Sequence, residues 1–427
     1  MRFIIPIILV GAAMLHSAVA KTVFAHFMTQ NSYSYAVADW TNEFQIAQGI
    51  GIDGFALNTA TNSYELDRMN DAFSAAEPLG FKLFISFDMS YGWTSDAIVS
   101  AVTAHAGSSA YFQWNGKPLV STYSGEGNGD SFWAGVKSTL AGQGHTVSFA
   151  PAFTSYRDPS NADSLLSTFP SIDGFFNWWS WPADTNSNLT TDTDVAYQKA
   201  IKSRTGSYIM SVSPWQFKDI DPSNAQDNWV EYSDTLWKYR WEQAAQQVIP
   251  DIVEIVTWND YPESHYISDI FPKSDLGDLA PQYVTGFTHA AWRDVAKYYI
   301  SLYKNGKAPA ITTNEVVYWY RTHPKGVTCS GGTKPRNSDF PADEVFALAI
   351  LKDNATFSID VGSTHVTFDV PAGVTLRSAP FSSDASQTPV IKILQSGTAI
   401  ASGTGAKAIT QNCTYYNFNP IVGSVSA

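Results

Sequence analysis

Cysteine is almost missing from this chain: 427 residues contain two, Cys329 and Cys413. Two thiols cannot build a disulfide scaffold. Without a further cysteine or histidine cluster beside them, they are also a poor metal site. In an oxidising compartment they are expected to form a single disulfide. Charge is scarce as well. Asp, Glu, Lys and Arg make up 15% of the residues, and the balance is acidic, with a formal net charge of −13. An acidic surface repels phosphate backbones, which argues against nucleic acid as a partner. Several motifs are also absent: H-E-x-x-H, the G-x-S-x-G elbow, the P-loop, and a G-x-G-x-x-G turn after the first strand. Their absence argues against zincin, elbow-serine, nucleotide-hydrolysing and dinucleotide chemistry. Scattered acids and histidines could bind a metal, yet no ligand spacing points to one.

What is present begins at the N-terminus. Arg2, the apolar run "FIIPIILVGAAML" and "AVA" before Lys21 read as a secretory signal peptide over residues 1–20. No later run approaches a transmembrane length, so the expectation is a secreted protein, extracellular or in a cell wall, with no membrane partner. Sequons at Asn188, Asn354 and Asn412 fit that compartment and belong on the surface if used. The 14 tryptophans and 21 tyrosines are numerous. Such rings stack on the apolar faces of sugars, although most large aromatics are core.

From residue 22 to about 306, short apolar runs alternate with amphipathic segments. The runs are "TVFAHFM", "GFALNT", "KLFISFDM", "PLVSTYS", "VSFAPAF", "GFFNWWSW", "SYIMSVSPW" and "IVEIVTWND". Segments such as "ELDRMNDAFSAAEPLG" between them open near Asp or Ser and close near Gly, as helices do. Eight strand–helix units over roughly 285 residues predict an α/β fold, a (β/α)8 TIM barrel spanning residues 21–310. A doubly wound open sheet is the runner-up. Residues 311–427 hold short β-branched runs separated by Gly, Pro, Ser and Asp, which predict a smaller antiparallel β-sandwich packed on the barrel.

Active residues in such a barrel lie where strands end. That rule selects His26, Asn58, Asp88, Tyr123 and Glu126. It also selects the rings Trp178, Trp179, Trp181 and Trp215, then Trp258, Asn259, Asp260 and Glu263, with His265 just beyond. Carboxylates mixed with rings and amides suit glycoside cleavage, which needs one acid and one carboxylate base or nucleophile. Each candidate also has a plainer reading. Asp260 and Glu263 fit a solvated turn or a helix cap, Asp88 a strand-end acid bonded to backbone, and His26 a satisfied core histidine. The run "NWWSW" fits barrel packing. Glu126 in "SGEGNGD" reads as loop, and Asp53 in "GIDGF" as a structural turn at the opposite end.

Taken in order, "VFAHFM", "GIDGFALN", "SFDMS", "FFNWWSW", "TWNDYPESHYI" and "NEVVYWYRTHP" resemble glycoside hydrolase family 71, the fungal endo-α-1,3-glucanases or mutanases. The resemblance covers nearly the whole mature chain. It implies endo-hydrolysis of α-1,3-glucan with inversion, no cofactor, Asp260 and Glu263 as the catalytic carboxylates, and Asp88 as a further important acid. The favoured roles are Glu263 as general acid and Asp260 as general base, with the reverse chemically open. The expected partner is α-1,3-glucan or its oligosaccharides, bound by a monomer through His26, Asn58, Tyr123, the tryptophans, Asn259 and His265. The rivals are a secreted, non-catalytic glycan-binding protein and a secreted metal-dependent hydrolase.

Overall fold

The computed structural model describes residues 21–221 and 224–427, so the expected signal peptide at 1–20 lies outside the described residues. Eight parallel strands form the main sheet. They are β1 (Thr22–Met28), β2 (Gly54–Thr59), β3 (Lys82–Asp88), β4 (Lys117–Tyr123), β5 (Ser148–Phe149), β6 (Phe175–Asn177), β7 (Tyr208–Val212) and β8 (Ile252–Ile255). Their spatial order is β5-β4-β3-β2-β1-β8-β7-β6, so the first strand lies beside the last and the sheet curls. Its two edge strands meet through single bonds. The Phe176 N–H donates to Pro151 O at 2.9 Å and the Gly174 N–H to Phe149 O at 3.0 Å.

The regular part of β5 is shorter than "VSFAPAF" suggested. Pro151 has no N–H to give to a ladder. Ala150 and Ala152 still donate to Val120 and Thr122 of β4, so the segment keeps its place without regular strand geometry. Gly54 shows how tightly the strands pack, because a Cβ there would lie 2.1 Å from Lys82 O.

Helices α1 (Val37–Gly49), α2 (Ser63–Leu79), α3 (Ser95–His105) and α4 (Asp130–Gly142) follow the first four strands. They bury stripes such as Trp40, Phe44 and Ala47 against the convex face. Shorter helices follow, and the last, Trp292–Asn305, is again long. Among the described residues no helix is long and apolar enough to cross a membrane.

The C-terminal part contains two four-stranded antiparallel sheets. Strand Glu315–Tyr320 lies centrally in the first and Ala355–Val361 centrally in the second. The period of two along a strand divides their contacts. Val316, Val345, Ala347 and Ala349 share an apolar cluster with Phe357, Ile359, Ile391 and Ile393 of the second sheet. The alternate residues Val317, Trp319, Phe346 and Leu348 join the core of the parallel sheet. Cys329 and Cys413 are disulfide-bonded.

Candidate active site

The concave face of the curled sheet changes character along its strands. Phe24, Phe84, Leu119 and Ile252 form an apolar floor. One register step toward the strand ends come His26, Ser86, Ser121, Ser211 and Glu254, all fully buried, together with Asn58. Above them, Asp88 stands beside Tyr123 at the ends of β3 and β4. Trp178 touches both levels, with its ring centroid 4.9 Å from His26 and 4.9 Å from Tyr123.

The loop after β8 carries the acids. The Asp260 N–H donates to Thr257 Oγ1 at 2.8 Å, and the Glu263 N–H donates to Asp260 Oδ1 at 3.2 Å. Asp260 therefore caps its own turn, as the plainer reading allowed, and the same turn brings the two carboxyls together. One oxygen of each lies within 4.8 Å of the other and of a His265 nitrogen.

Their surroundings differ sharply. Glu263 receives three side-chain donors: Lys218 Nζ at 3.2 Å, Gln216 Nε2 at 3.1 Å and His265 Nε2 at 3.2 Å. His265 Nδ1 lies 3.1 Å from Thr257 Oγ1, which can donate to a neutral ring or accept from a protonated one. Either state directs Nε2–H at the Glu263 carboxylate. Burial pushes the Glu263 carboxyl up, but the His265 hydrogen bond and the Lys218 charge outweigh it and hold the group well below the usual range. Burial pushes Asp260 up to about 6; the neighbouring charge of Glu263 adds to the rise, while His265 opposes it. Two acids three residues apart thus have separated proton affinities. Asp260, Glu263 and His265 could offer one metal ligand each, but the Lys218 ammonium already faces Glu263, and that makes the trio a poor cation site.

Asp88 Oδ1 accepts the Ser90 N–H at 3.1 Å and the Ser90 hydroxyl at 2.6 Å, while burial raises its pKa. The Tyr123 hydroxyl is raised first by burial and then by the charges of Glu263, Asp88, Asp260 and Glu126.

Of the rings selected from sequence, Tyr123, Trp178 and Trp179 are half-buried and can meet a ligand. The indole of Trp179 lies under Arg157, 4.2 Å from its guanidinium carbon. Trp181, Trp215 and Trp258 turn into the core, which corrects the expectation that they bind sugar. Their indole N–H groups donate to Trp215 O, Phe418 O and Glu43 Oε2 respectively. Asn259 is likewise fully buried, with its side chain paired to the Met28 backbone. His26 is buried 2.6 Å from Glu254, and Asn58 is buried too, so neither reaches a ligand directly. His265, fully buried, acts on Glu263 from behind. Glu126 accepts the Ser155 N–H, and Asp53 accepts the Val23 N–H and pairs with Lys304, both structural roles. The sequon residues Asn188, Asn354 and Asn412 are exposed.

Sequence reasoning missed Gln216, Lys218, Glu254 and Glu43. Gln216 and Lys218 follow Trp215 in "SPWQFKDI", within reach of the strand-end rule that selected that ring. Glu254 announces itself as the lone charge inside the apolar run "IVEIV".

The sequence profile of Glycosyl hydrolase family 71 matches residues 19–427. The chain belongs to this family. It is 35% identical to the glucan endo-1,3-alpha-glucosidase of Schizosaccharomyces pombe, covering 99% of each chain. It is 36% identical to a mutanase of Penicillium rubens, over 95% of this chain and 88% of that one. The ascus wall endo-1,3-alpha-glucanase of S. pombe is 29% identical over 93% of this chain and 96% of that one. Among solved structures, the GH99 endo-alpha-mannosidase of Bacteroides thetaiotaomicron matches with a TM-score of 0.52 at 12% identity, over 67% of this chain and 98% of that one. That likeness concerns the fold, an α/β architecture built on a curled eight-strand sheet.

Proposed function

We propose that this chain is a secreted endo-hydrolase of α-1,3-glucan that acts by inversion, with Asp260 as general acid and Glu263 as general base. Residues 21–310 are read as a (β/α)8 barrel and residues 311–427 as an antiparallel β-sandwich, acting together as a monomer. The roles reverse those favoured from sequence. One observation carries the reversal: Glu263 is met by three donors including an ammonium, whereas Asp260 is the acid with the raised proton affinity. A general acid must hold its proton at working pH, and a base must not. Asp88, across Tyr123, is read as a third carboxyl that accepts a sugar hydroxyl. Tyr123, Trp178 and Trp179 supply ring platforms.

The spacing is compatible with inversion only at its short end. Nearest oxygens within 4.8 Å put the carboxyl carbons at most about 7 Å apart, after adding roughly 1.2 Å per C–O bond. Inverting pairs lie roughly 6.5–9.5 Å apart and retaining pairs roughly 5–5.5 Å. Proton NMR of the first product anomer from an α-1,3-oligosaccharide decides this point. The β anomer is expected, and the α anomer would refute inversion.

The role assignment is tested with α-glucosyl fluoride, whose leaving group needs no proton. Asp260→Asn should retain most activity on the fluoride while losing it on glucan, and Glu263→Gln should lose both. The opposite pattern would exchange the roles. Retention on insoluble α-1,3-glucan with no product after long incubation would instead favour a binding protein.

A further inference from the structure

A short hairpin follows β7, with Phe217–Asp219 paired to Asn228–Val230. It is held from outside the parallel sheet. The Val230 N–H donates to Arg336 O at 3.1 Å, and the Arg336 N–H donates to Asn228 O at 3.0 Å. Asn228 Nδ2 donates to Thr333 O at 2.8 Å, and the Tyr415 hydroxyl donates to the Asp219 carboxylate. The two C-terminal segments that make these contacts are tied together by the Cys329–Cys413 disulfide, beside which the Ser330 N–H donates to Cys413 O at 3.0 Å.

Lys218 rides on this hairpin, and its ammonium is fixed on three sides. Nζ lies 3.2 Å from Glu263 Oε1, 3.7 Å from Asp227 Oδ1 and 3.9 Å from the centre of the Trp229 ring. An ammonium on a four-carbon stem is a mobile point charge unless its surroundings restrict it. A carboxylate on one side and a ring face with a second carboxylate on the other do so.

We propose that Lys218 is a positioning residue for Glu263, and that the disulfide-tied C-terminal segment is the strut that holds its hairpin against the active site. The proposal rests on Glu263 being a catalytic carboxylate. The charged and titratable groups around Glu263 are Asp260 and His265 from its own loop, Lys218 and Asp227 from the hairpin, and Tyr123 from β4, with Asp88 beyond it on β3. Of these, Lys218 is the nearby fixed cation. The C-terminal part therefore contributes to catalysis without touching substrate.

The test is the pH profile of kcat/KM on soluble α-1,3-oligosaccharides for Lys218→Met, Lys218→Arg and Glu263→Gln. An opposite charge at this range shifts a carboxyl by about 1–3 pH units, so Lys218→Met should move the acid limb up by that amount. Lys218→Arg should leave the limb in place. Glu263→Gln at the wild-type rate would overturn the catalytic reading itself. Glu263→Gln inactive, with the acid limb of Lys218→Met unmoved, would overturn the role of Lys218 alone. The strut is tested in the full chain by Cys329→Ser/Cys413→Ser and by the milder Tyr415→Phe, each checked for native near-ultraviolet dichroism. Both should move the acid limb in the same direction as Lys218→Met and by less. Folded variants of both kinds with an unchanged limb and rate would refute the strut.

Discussion

Raising the pH through about 6 should switch the enzyme off by ionising Asp260. An ordinary aspartate titrates near 3.8, and burial with the Glu263 charge alongside moves this one to about 6. Two units correspond to roughly 3 kcal/mol of preference for the protonated form, an upper figure because the residue keeps some solvent contact. If Asp260 is the general acid, kcat/KM should fall about tenfold per pH unit above that value. The same shift has a stability consequence. A carboxyl whose folded value is raised contributes stability below its unfolded value and loses it as pH rises through about 6. The assay is initial release of reducing ends from soluble α-1,3-oligosaccharides across the acidic and neutral range, with global stability followed by urea unfolding at each pH. An alkaline limb near an ordinary carboxylate value would refute the reasoning, because burial and the Glu263 charge would then not raise Asp260. Carboxyl-carbon NMR of the inactive Glu263→Gln variant gives a second check, since loss of the neighbouring charge should lower the Asp260 midpoint.

Other outcomes follow from contacts away from the acids. Asp194 and Arg240 form a buried pair at 2.6 Å, with Arg240 also donating to Ser211 O, so Asp194→Asn should cost about 3–5 kcal/mol in urea unfolding. An unchanged midpoint would show that the guanidinium finds other partners. Trp258→Phe removes the indole bond to buried Glu43, at 2.7 Å, and should cost about 1–3 kcal/mol while leaving KM near wild type. A large rise in KM would mean that Trp258 meets substrate after all. Burial raises Glu315 to about 7, and Asp294 beside it adds to the rise. Stability from this pair is present at acidic pH and lost as pH rises through about 7, so Glu315→Gln should raise the melting temperature at mildly alkaline pH and not below the ordinary glutamate range. Equal shifts at both pH values would contradict this origin.

The strand pattern, and with it the strand ends, could be read from sequence because alternating apolar runs and capped helices are local signals. The same reading found the loop that carries Asp260 and Glu263. It overestimated β5, where Pro151 interrupts the ladder, and it could not tell an exposed ring from a buried one. Trp178 and Trp181 stand three residues apart in one aromatic run, yet the first is half-exposed and the second is core. That difference is set by which way the chain turns after β6, a tertiary matter.

Which residue types gather at the strand ends is written in neighbouring residues, through the periodicity of runs and helices. How the two acids divide their proton affinity is not, because it depends on groups distant in the chain. The ammonium facing Glu263 comes from Lys218, 45 residues earlier in the chain. Its hairpin is braced by Arg336 and Tyr415 from far later in the chain. Electrostatic energy depends on distance through space, and these groups meet only after the chain has folded.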